Sequence, residues 1–176
     1  MDIPILVKLT SRAWSLKILA LLHEGVPGRQ APLIAAAGAG RTAFAASLDH
    51  LIEMGFLERN PGHGHPLRPE FRLTAAGRAI APLAHRIERV VQDPAGAQLL
   101  RRAWTVPLLA VAQDPVPFSA MKRALDPITD RSLSNALKSL DAQAWIARRV
   151  EAAHRPPRPL YVAANEGAEI ARALAL

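Results

Sequence analysis

The chain contains no cysteine. Disulfide scaffolds, thiol nucleophiles, iron–sulfur clusters and cysteine-ligated zinc sites are therefore excluded. No apolar stretch approaches the roughly 18 residues that a membrane-spanning helix needs. The first residues also lack the basic segment and long apolar run of a signal peptide, so we expect a cytoplasmic protein without a membrane partner.

Catalytic patterns are missing as well. The sequence has no glycine-rich phosphate loop, no paired carboxylates in an apolar setting and no nucleophile elbow. Two of the six histidines, His63 and His65, have a spacing that would suit a metal, but no third ligand accompanies them. We therefore predict that the protein is not an enzyme and that it uses no metal and no other cofactor.

Lysine is scarce, whereas arginine is abundant. Only four of the 22 basic residues are lysine, which leaves 18 arginines, and the formal net charge is +7. Arginine is suited to bidentate recognition of phosphate and guanine. The excess favours an anionic partner, nucleic acid ahead of an acidic membrane surface, although genome composition alone could produce a chain rich in alanine and arginine.

The sequence repeats itself at an offset of about 90 residues. Arg-Ala-Trp at 12–14 recurs at 102–104, GFLER at 55–59 matches AWIAR at 144–148, and Gly77 matches Gly167. Such matches across a whole unit predict a duplication, with domains at 1–92 and 93–176 joined at a segment that contains proline and glycine. Residues 1–90 carry a net charge of +4 and residues 91–176 one of +3, so both halves share the excess.

Each half shows the order of three helices, a hairpin and a further helix. Apolar periodicity and capping residues predict these elements. In the first half they are helices at 11–23, 33–37 and 42–54, strands at 56–59 and 71–73, and a helix at 75–90 capped by Thr74. In the second half they are helices at 99–112, 120–125 (capped by Ser119) and 129–143, strands at 145–150 and 160–163, and a helix at 166–174 capped by Asn165. The fold class is thus mainly α with small β-hairpins (α+β), arranged as two tandem winged helix-turn-helix domains.

In this fold the third helix fits the major groove, and the hairpin, or wing, lies on the DNA backbone or in the minor groove. Asp130 lies near the predicted DNA face, where it would repel phosphate but could accept a hydrogen bond from cytosine N4. Polar side chains on the outward faces are the candidate DNA contacts. In the second half these are Thr129, Arg131, Ser132, Asn135 and Lys138 on the helix and Arg155 and Arg158 on the wing. In the first half they are Arg41, Thr42 and Ser47 on an alanine-rich helix and Arg68 on the wing.

Two tryptophans occupy matching positions in the repeat, Trp14 and Trp104. Tryptophans at such positions usually pack in a core. The alternative is that they form the aromatic wall of a ligand pocket.

The second half resembles the HxlR-type family of bacterial winged-helix transcriptional regulators, within the wider MarR-like group. The resemblance is carried by Trp104, by ITDRSLSNALKSLDAQAWIARR at 128–149 and by RPPRPLYVAANEGAEI at 155–170. The first half matches through Trp14, LDHLIEMGFLERN at 48–60 and PEFRLTAAGRAI at 69–80. The family usually has one such unit per chain and dimerises through terminal helices, whereas this chain has two units in tandem.

The resemblance implies a DNA-binding transcriptional regulator at the nucleoid, with double-stranded DNA as partner. The two units would act as an intrachain pseudo-dimer, and pairing of two chains into a homodimer stays open. Two alternatives remain. One is a protein–protein adaptor like the tandem winged-helix proteins that assist chromosome segregation, and the other is a repressor that responds to a small-molecule effector held in an aromatic pocket.

Overall fold

The computed structural model describes residues 2–60, 69–151 and 157–175. They fold into a first unit, Arg12–Arg89, and a second unit, which combines Met1–Ser11 with Val90–Leu176. The junction at 92–93 that the sequence predicts lies close to this division. The N-terminal segment differs, because it joins the second unit rather than the first.

The N-terminal helix α1 (Ile3–Thr10) accounts for this difference. The sequence pattern predicts a first helix at 11–23 and none at 3–10. Leu6 and Leu9 are each 1% exposed, so the face of the helix that carries them belongs to a core. Thr10 Oγ1 also donates a 2.7 Å hydrogen bond to the carbonyl oxygen of Ala103. Apolar burial and this bond fix α1 in the second unit.

The first unit follows the predicted order closely. Gly38 (φ 63°) ends α3, and Gly55 (φ 74°) follows α4, both in the left-handed region that favours glycine. Thr74 caps α5 as predicted, since its Oγ1 accepts a 3.0 Å hydrogen bond from the Gly77 amide. The elements are α2 (Ser15–His23), α3 (Gln30–Ala37), α4 (Arg41–Glu53), antiparallel strands β1 (Leu57–Asn60) and β2 (Glu70–Leu73), and α5 (Ala75–Val90).

The second unit repeats this order with an additional short strand. That strand, β3, pairs with β5 and gives a three-stranded sheet of order β3-β5-β4, which the sequence did not predict. The elements are α6 (Pro94–Leu100), α7 (Thr105–Val111), β3 (Val116–Pro117), α8 (Phe118–Ala124), α9 (Asp130–Ala142), β4 (Ile146–Glu151), β5 (Arg158–Ala163) and α10 (Asn165–Leu174).

Three local predictions in the second unit were wrong. The predicted continuous helix over 99–112 is interrupted by a turn at 101–104, just as residues 11–14 of the predicted helix over 11–23 form a turn in the other copy of the repeat. Helix α8 begins at Phe118 after Pro117, without a side-chain cap from Ser119. Asn165 is the first residue of α10 rather than its cap, and its Nδ2 donates to the Ala144 carbonyl oxygen at 2.8 Å.

Each unit encloses its own apolar core. The sequence predicts one apolar stripe on each third helix: Phe44, Leu48, Leu51 and Ile52 on α4, and Leu133, Leu137 and Leu140 on α9. These side chains are buried, apart from Ile52, which is half-buried. The core of the first unit includes Ile18, Leu19, Leu33, Phe44, Leu48, Leu51 and Ile87; that of the second includes Leu108, Leu109, Leu133, Leu140, Trp145 and Ile170. None of the helices in the described part of the chain is long and apolar enough to cross a membrane.

A matching pair of glycines shows the duplication at atomic detail. A Cβ at Gly77 would lie 2.0 Å from the Phe56 carbonyl oxygen, and one at Gly167 would lie 2.1 Å from the Trp145 carbonyl oxygen. In both units the last helix therefore approaches the backbone just before the hairpin too closely for any side chain. The same packing constraint acts at both copies.

Candidate nucleic-acid interface

Helix α9 has one buried face and one exposed face. Leu133, Leu137 and Leu140 are buried at 6% exposure or less. Arg131, Asn135 and Lys138, which the sequence analysis selected, are all exposed. The leucine stripe anchors the helix, so these polar side chains point to solvent.

The N-terminus of α9 is built by two hydroxyl residues from the predicted set. Thr129 is the N-cap, and its Oγ1 accepts a 3.1 Å hydrogen bond from the Ser132 amide. The same Oγ1 donates to Ser132 Oγ at 2.9 Å. Thr129 is exposed and Ser132 is half-exposed, and the Ser132 hydroxyl proton makes no hydrogen bond among the described residues. This corner therefore places a hydroxyl donor at a helix N-terminus, where anions are favoured.

Four exposed cations on α9 and β4 have no side-chain partner among the described residues. Among the residues that the structure describes, the side chains of Arg131, Lys138 and Arg148 form no ion pair and no hydrogen bond. Arg149, the next residue of β4, is likewise exposed and unpaired within those residues. Cations that no carboxylate neutralises are available to phosphate oxygens and base edges.

The acidic residue at the start of α9 forms an ion pair. Asp130 opens α9, where its carboxylate would repel DNA phosphates. Lys122 on α8 lies 2.5 Å from Asp130 Oδ1, from Nζ to oxygen. The ion pair cancels the negative charge at the start of the helix and links α8 to α9. Sequence reasoning missed this partner, since the two residues belong to different helices.

The wing of the second unit contains a further pair. Arg158, predicted to contact DNA, donates from Nε to Glu151 Oε2 at 2.6 Å across the hairpin. The side chains of both residues are more than a third exposed, so the pair contributes little to stability and leaves the guanidinium accessible. Arg155, the other predicted wing contact, lies outside the described residues.

A hydrogen bond from the turn between α6 and α7 also supports α9. Arg102, in the turn between α6 and α7, donates from Nη1 to Ser139 Oγ at 2.6 Å. Ser139 Oγ in turn donates to the Asn135 carbonyl oxygen at 3.0 Å. This chain of bonds holds the middle of α9. No sequence pattern relates Arg102 to Ser139, which lies 37 positions later, so this hydrogen bond could not have been predicted.

The first unit presents a different surface on its third helix. Arg41 and Thr42 are exposed at the start of α4, as predicted. Ser47 is not available to DNA, because it is 1% exposed and its hydroxyl is fully used. Its Oγ donates to the Ala43 carbonyl oxygen at 2.9 Å and accepts from the Trp14 amide at 3.3 Å. The predicted wing residue Arg68 lies outside the described residues.

The repeat allows the two third helices to be compared position by position. At an offset of 89, the positions of Arg131, Asn135 and Lys138 correspond to threonine, alanine and aspartate at 42, 46 and 49. The segment 118–163 has eight basic and four acidic residues, a net charge of +4, whereas 29–73 has five and four, a net charge of +1. The two halves carry similar total charge, but only the second concentrates it around the third helix and wing.

The two matching tryptophans lie at the N-caps of α2 and α7 and are half-buried. The Trp14 ring packs against Phe44 with centroids 6.2 Å apart. Trp104 instead lines an open hollow of about 220 Å³ with Ser132 and Asn135. The tryptophan at the centre of a core is Trp145, which is 1% exposed and donates from Nε1 to Glu166 Oε2 at 2.7 Å.

No metal site is evident where the structure is described. Within residues 2–60, 69–151 and 157–175, no group of three or more histidine, aspartate or glutamate side chains is placed to hold an ion. His63 and His65, the pair noted in the sequence, lie outside these ranges.

Comparison with known proteins assigns the family. A search of curated proteins gave no significant match. Among solved structures, a protein from Porphyromonas gingivalis W83 described as a MarR-family transcriptional regulator is similar over 48% of this chain and 88% of its own, with 20% identity and a TM-score of 0.41. That likeness is too remote to carry an argument.

The profile of the HxlR-like helix-turn-helix family matches twice, over residues 9–97 and again over 99–176. Two matches in tandem confirm the predicted duplication of a winged helix-turn-helix unit and the predicted resemblance. They also support the expectation that the protein is not an enzyme, since the family consists of DNA-binding transcription factors. The chain is a tandem member of the HxlR-like helix-turn-helix family of DNA-binding transcriptional regulators.

Proposed function

We propose that the second unit reads the operator, with α9 in the major groove of double-stranded DNA. The carrying observation is the cluster of Arg131, Asn135 and Lys138 on the exposed face of α9, all without side-chain partners in the described part of the protein. Arg131 in the first turn is suited to guanine O6 and N7, and Asn135 one turn later to adenine. Lys138 and Arg148 are suited to phosphate.

The residues around α9 have supporting roles in this proposal. Thr129 and Ser132 offer hydroxyl groups to a phosphate beside the helix N-terminus. Lys122 keeps Asp130 neutralised until the carboxylate meets a cytosine N4 donor. Arg158 on the wing exchanges Glu151 for a DNA phosphate or a narrow minor groove, and Arg155 acts beside it.

The first unit contributes mainly backbone contacts. Arg41 and Thr42 are exposed at the start of α4 and suit a phosphate, while alanines follow at positions 43, 45 and 46 of the helix. Arg68 adds a cation on the wing. The chain then acts as an intrachain pseudo-dimer, and its operator consists of two unlike half-sites, because the two third helices differ. Its place in the cell is the cytoplasm, at the nucleoid.

Fluorescence anisotropy with genomic fragments and with random duplex, each at two salt concentrations, tests this function. We expect a preferred fragment and a binding constant that falls steeply with salt, since each neutralised phosphate adds about 0.9 to the slope. Arg172→Ala, on exposed surface of α10, is the matched control and should leave binding nearly unchanged. Absence of DNA binding at low salt, together with recovery of a stable protein partner in a pull-down, would support the adaptor alternative instead.

A further inference from the structure

The turn between α6 and α7 forms one wall of the open hollow of about 220 Å³ beside α9. Arg102 and Trp104 line it from the turn, and Ser132 and Asn135 line it from α9. A pocket for a small molecule typically has about 300–1,000 Å³ and encloses most of its ligand. The hollow is smaller and open, so it suits one chemical group of a larger partner rather than a whole small molecule.

Hydrogen bonds hold this turn in place. The Ala103 carbonyl oxygen accepts a 2.7 Å hydrogen bond from Thr10 Oγ1. Thr105 Oγ1, which is buried, donates to the Leu99 carbonyl oxygen at 2.7 Å. The Thr105 amide donates to the Arg102 carbonyl oxygen at 3.1 Å. The backbone that carries the arginine and the tryptophan is therefore fixed beside α9 before any partner binds.

Hydrogen-bond donors line the hollow, and none of the described residues in its lining is acidic. Arg102 is exposed, and its Nη1 donates to Ser139 Oγ at 2.6 Å. The other guanidinium N–H groups, the indole N–H of Trp104 and the hydroxyl proton of Ser132 have no partner among the described residues. One cation with two neutral donors matches the single negative charge of a phosphodiester group.

We propose that this hollow holds one backbone phosphate of the DNA, bound by Arg102, Trp104 and Ser132 while α9 lies in the major groove. The proposal rests on the proposed function and adds the turn between α6 and α7 to the DNA interface. A phosphate contact carries no sequence information but fixes the register of a protein on the duplex. Asn135 lines the same hollow, so the phosphate fixes α9 beside the residue that we assign to adenine.

The first unit shares the turn residues but not the donors of the third helix. At an offset of 90, Arg12 and Trp14 match the arginine and the tryptophan of the hollow. At an offset of 89, alanines at 43 and 46 stand where α9 has its serine and asparagine. The Trp14 ring also packs against Phe44. The proposal therefore predicts one such phosphate site per chain, in the half-site that α9 occupies.

Anisotropy titrations of the full chain over a range of salt concentrations, with the preferred operator and with random duplex, test the site. Arg102→Ala should weaken binding about 10- to 100-fold, the loss expected for a hydrogen bond to a charged group, and lower the salt slope by about 0.9. Trp104→Phe keeps an aromatic ring and every charge, so it should weaken binding about 2- to 10-fold at an unchanged salt slope. Arg172→Ala removes an exposed arginine outside the hollow and is the charge-matched control. Thermal unfolding checks that each variant folds.

Ethylation interference identifies the phosphate on the preferred operator. An ethyl group on a bound phosphate removes its charge and blocks one of its oxygens. We expect one phosphate whose ethylation weakens binding of the unaltered chain and of Arg172→Ala, but not of Arg102→Ala. An unchanged interference pattern in Arg102→Ala, or an unchanged salt slope, overturns the site. Operator binding that remains in that case leaves the proposed function intact, whereas absence of DNA binding by the unaltered chain overturns both.

A free phosphate ion offers the same chemistry as the DNA backbone, and calorimetry distinguishes the two sources. Inorganic phosphate titrated into the full chain without DNA should not saturate in the millimolar range, because the free ion lacks the other contacts of the duplex. Saturable binding that Arg102→Ala abolishes would assign the hollow to a free phosphate compound and overturn its assignment to the DNA backbone.

Discussion

Replacing Arg131 by alanine should separate base reading from general attraction to DNA. Arg131 is exposed in the first turn of α9 and has no side-chain partner in the described part of the chain, so its removal leaves no buried group unpaired. A bidentate arginine–guanine contact contributes about 1–3 kcal/mol of discrimination. We therefore expect the Kd for the preferred operator to rise about 5- to 150-fold, whereas the Kd for random duplex changes far less.

The repeat supplies the matched control. Thr42 occupies the corresponding position in the first unit and is also exposed. Thr42→Ala should lower the affinity for operator and for random duplex to a similar extent, because a hydroxyl that contacts only a phosphate does not discriminate between bases. Anisotropy titrations of both variants against operator and random duplex at one salt concentration give the comparison. Equal losses for Arg131→Ala on both DNAs, or a larger loss for Thr42→Ala, would refute the assignment of base reading to α9.

Three further predictions concern the surroundings of α9. Arg158→Ala should weaken binding to all duplexes alike and reduce the salt slope in anisotropy titrations by about one, and a sequence-dependent loss would contradict the phosphate role. Lys122→Ala should reduce DNA affinity more than Arg172→Ala does in the same assay, because it leaves Asp130 unneutralised; equal effects would show that the ion pair is irrelevant to DNA. Gly167→Ala should destabilise the second unit by about 3 kcal/mol, because its Cβ would lie 2.1 Å from the Trp145 carbonyl oxygen. Denaturant unfolding measures this loss, and an unchanged unfolding midpoint would contradict the packing.

Elements with strong local signals could be predicted from the sequence. Helix α5 (Ala75–Val90) has the predicted bounds, and Thr74 caps it as expected. The leucine stripe of α9 was also predicted, because its spacing of three and four residues is a local property of a helix.

Features that depend on distant partners could not be predicted. The N-terminal helix α1 owes its place in the second unit to burial of Leu6 and Leu9 and to the hydrogen bond from Thr10 to Ala103. No local pattern encodes that contact. The interruption at 101–104 was missed because the apolar spacing continues through it.

The candidate site shows the same limit. The exposed positions of Arg131, Asn135 and Lys138 follow from the periodicity of one helix and were predicted correctly as exposed. Ser47 was misplaced, since it lies between Phe44 and Leu51 on the buried face of α4, where the Trp14 amide 33 positions earlier donates to its hydroxyl. Ion pairing of side chains such as Arg158 is likewise a tertiary property, which composition and spacing do not reveal.

Methylation interference on the preferred operator tests the central claim most directly. A methyl group on guanine N7 lies in the major groove and blocks the acceptor that an arginine uses. The account predicts interference at a guanine of one half-site, and its disappearance when Arg131→Ala replaces the unaltered chain. Interference that is absent, or that persists unchanged in Arg131→Ala, would contradict the placement of α9 in the major groove.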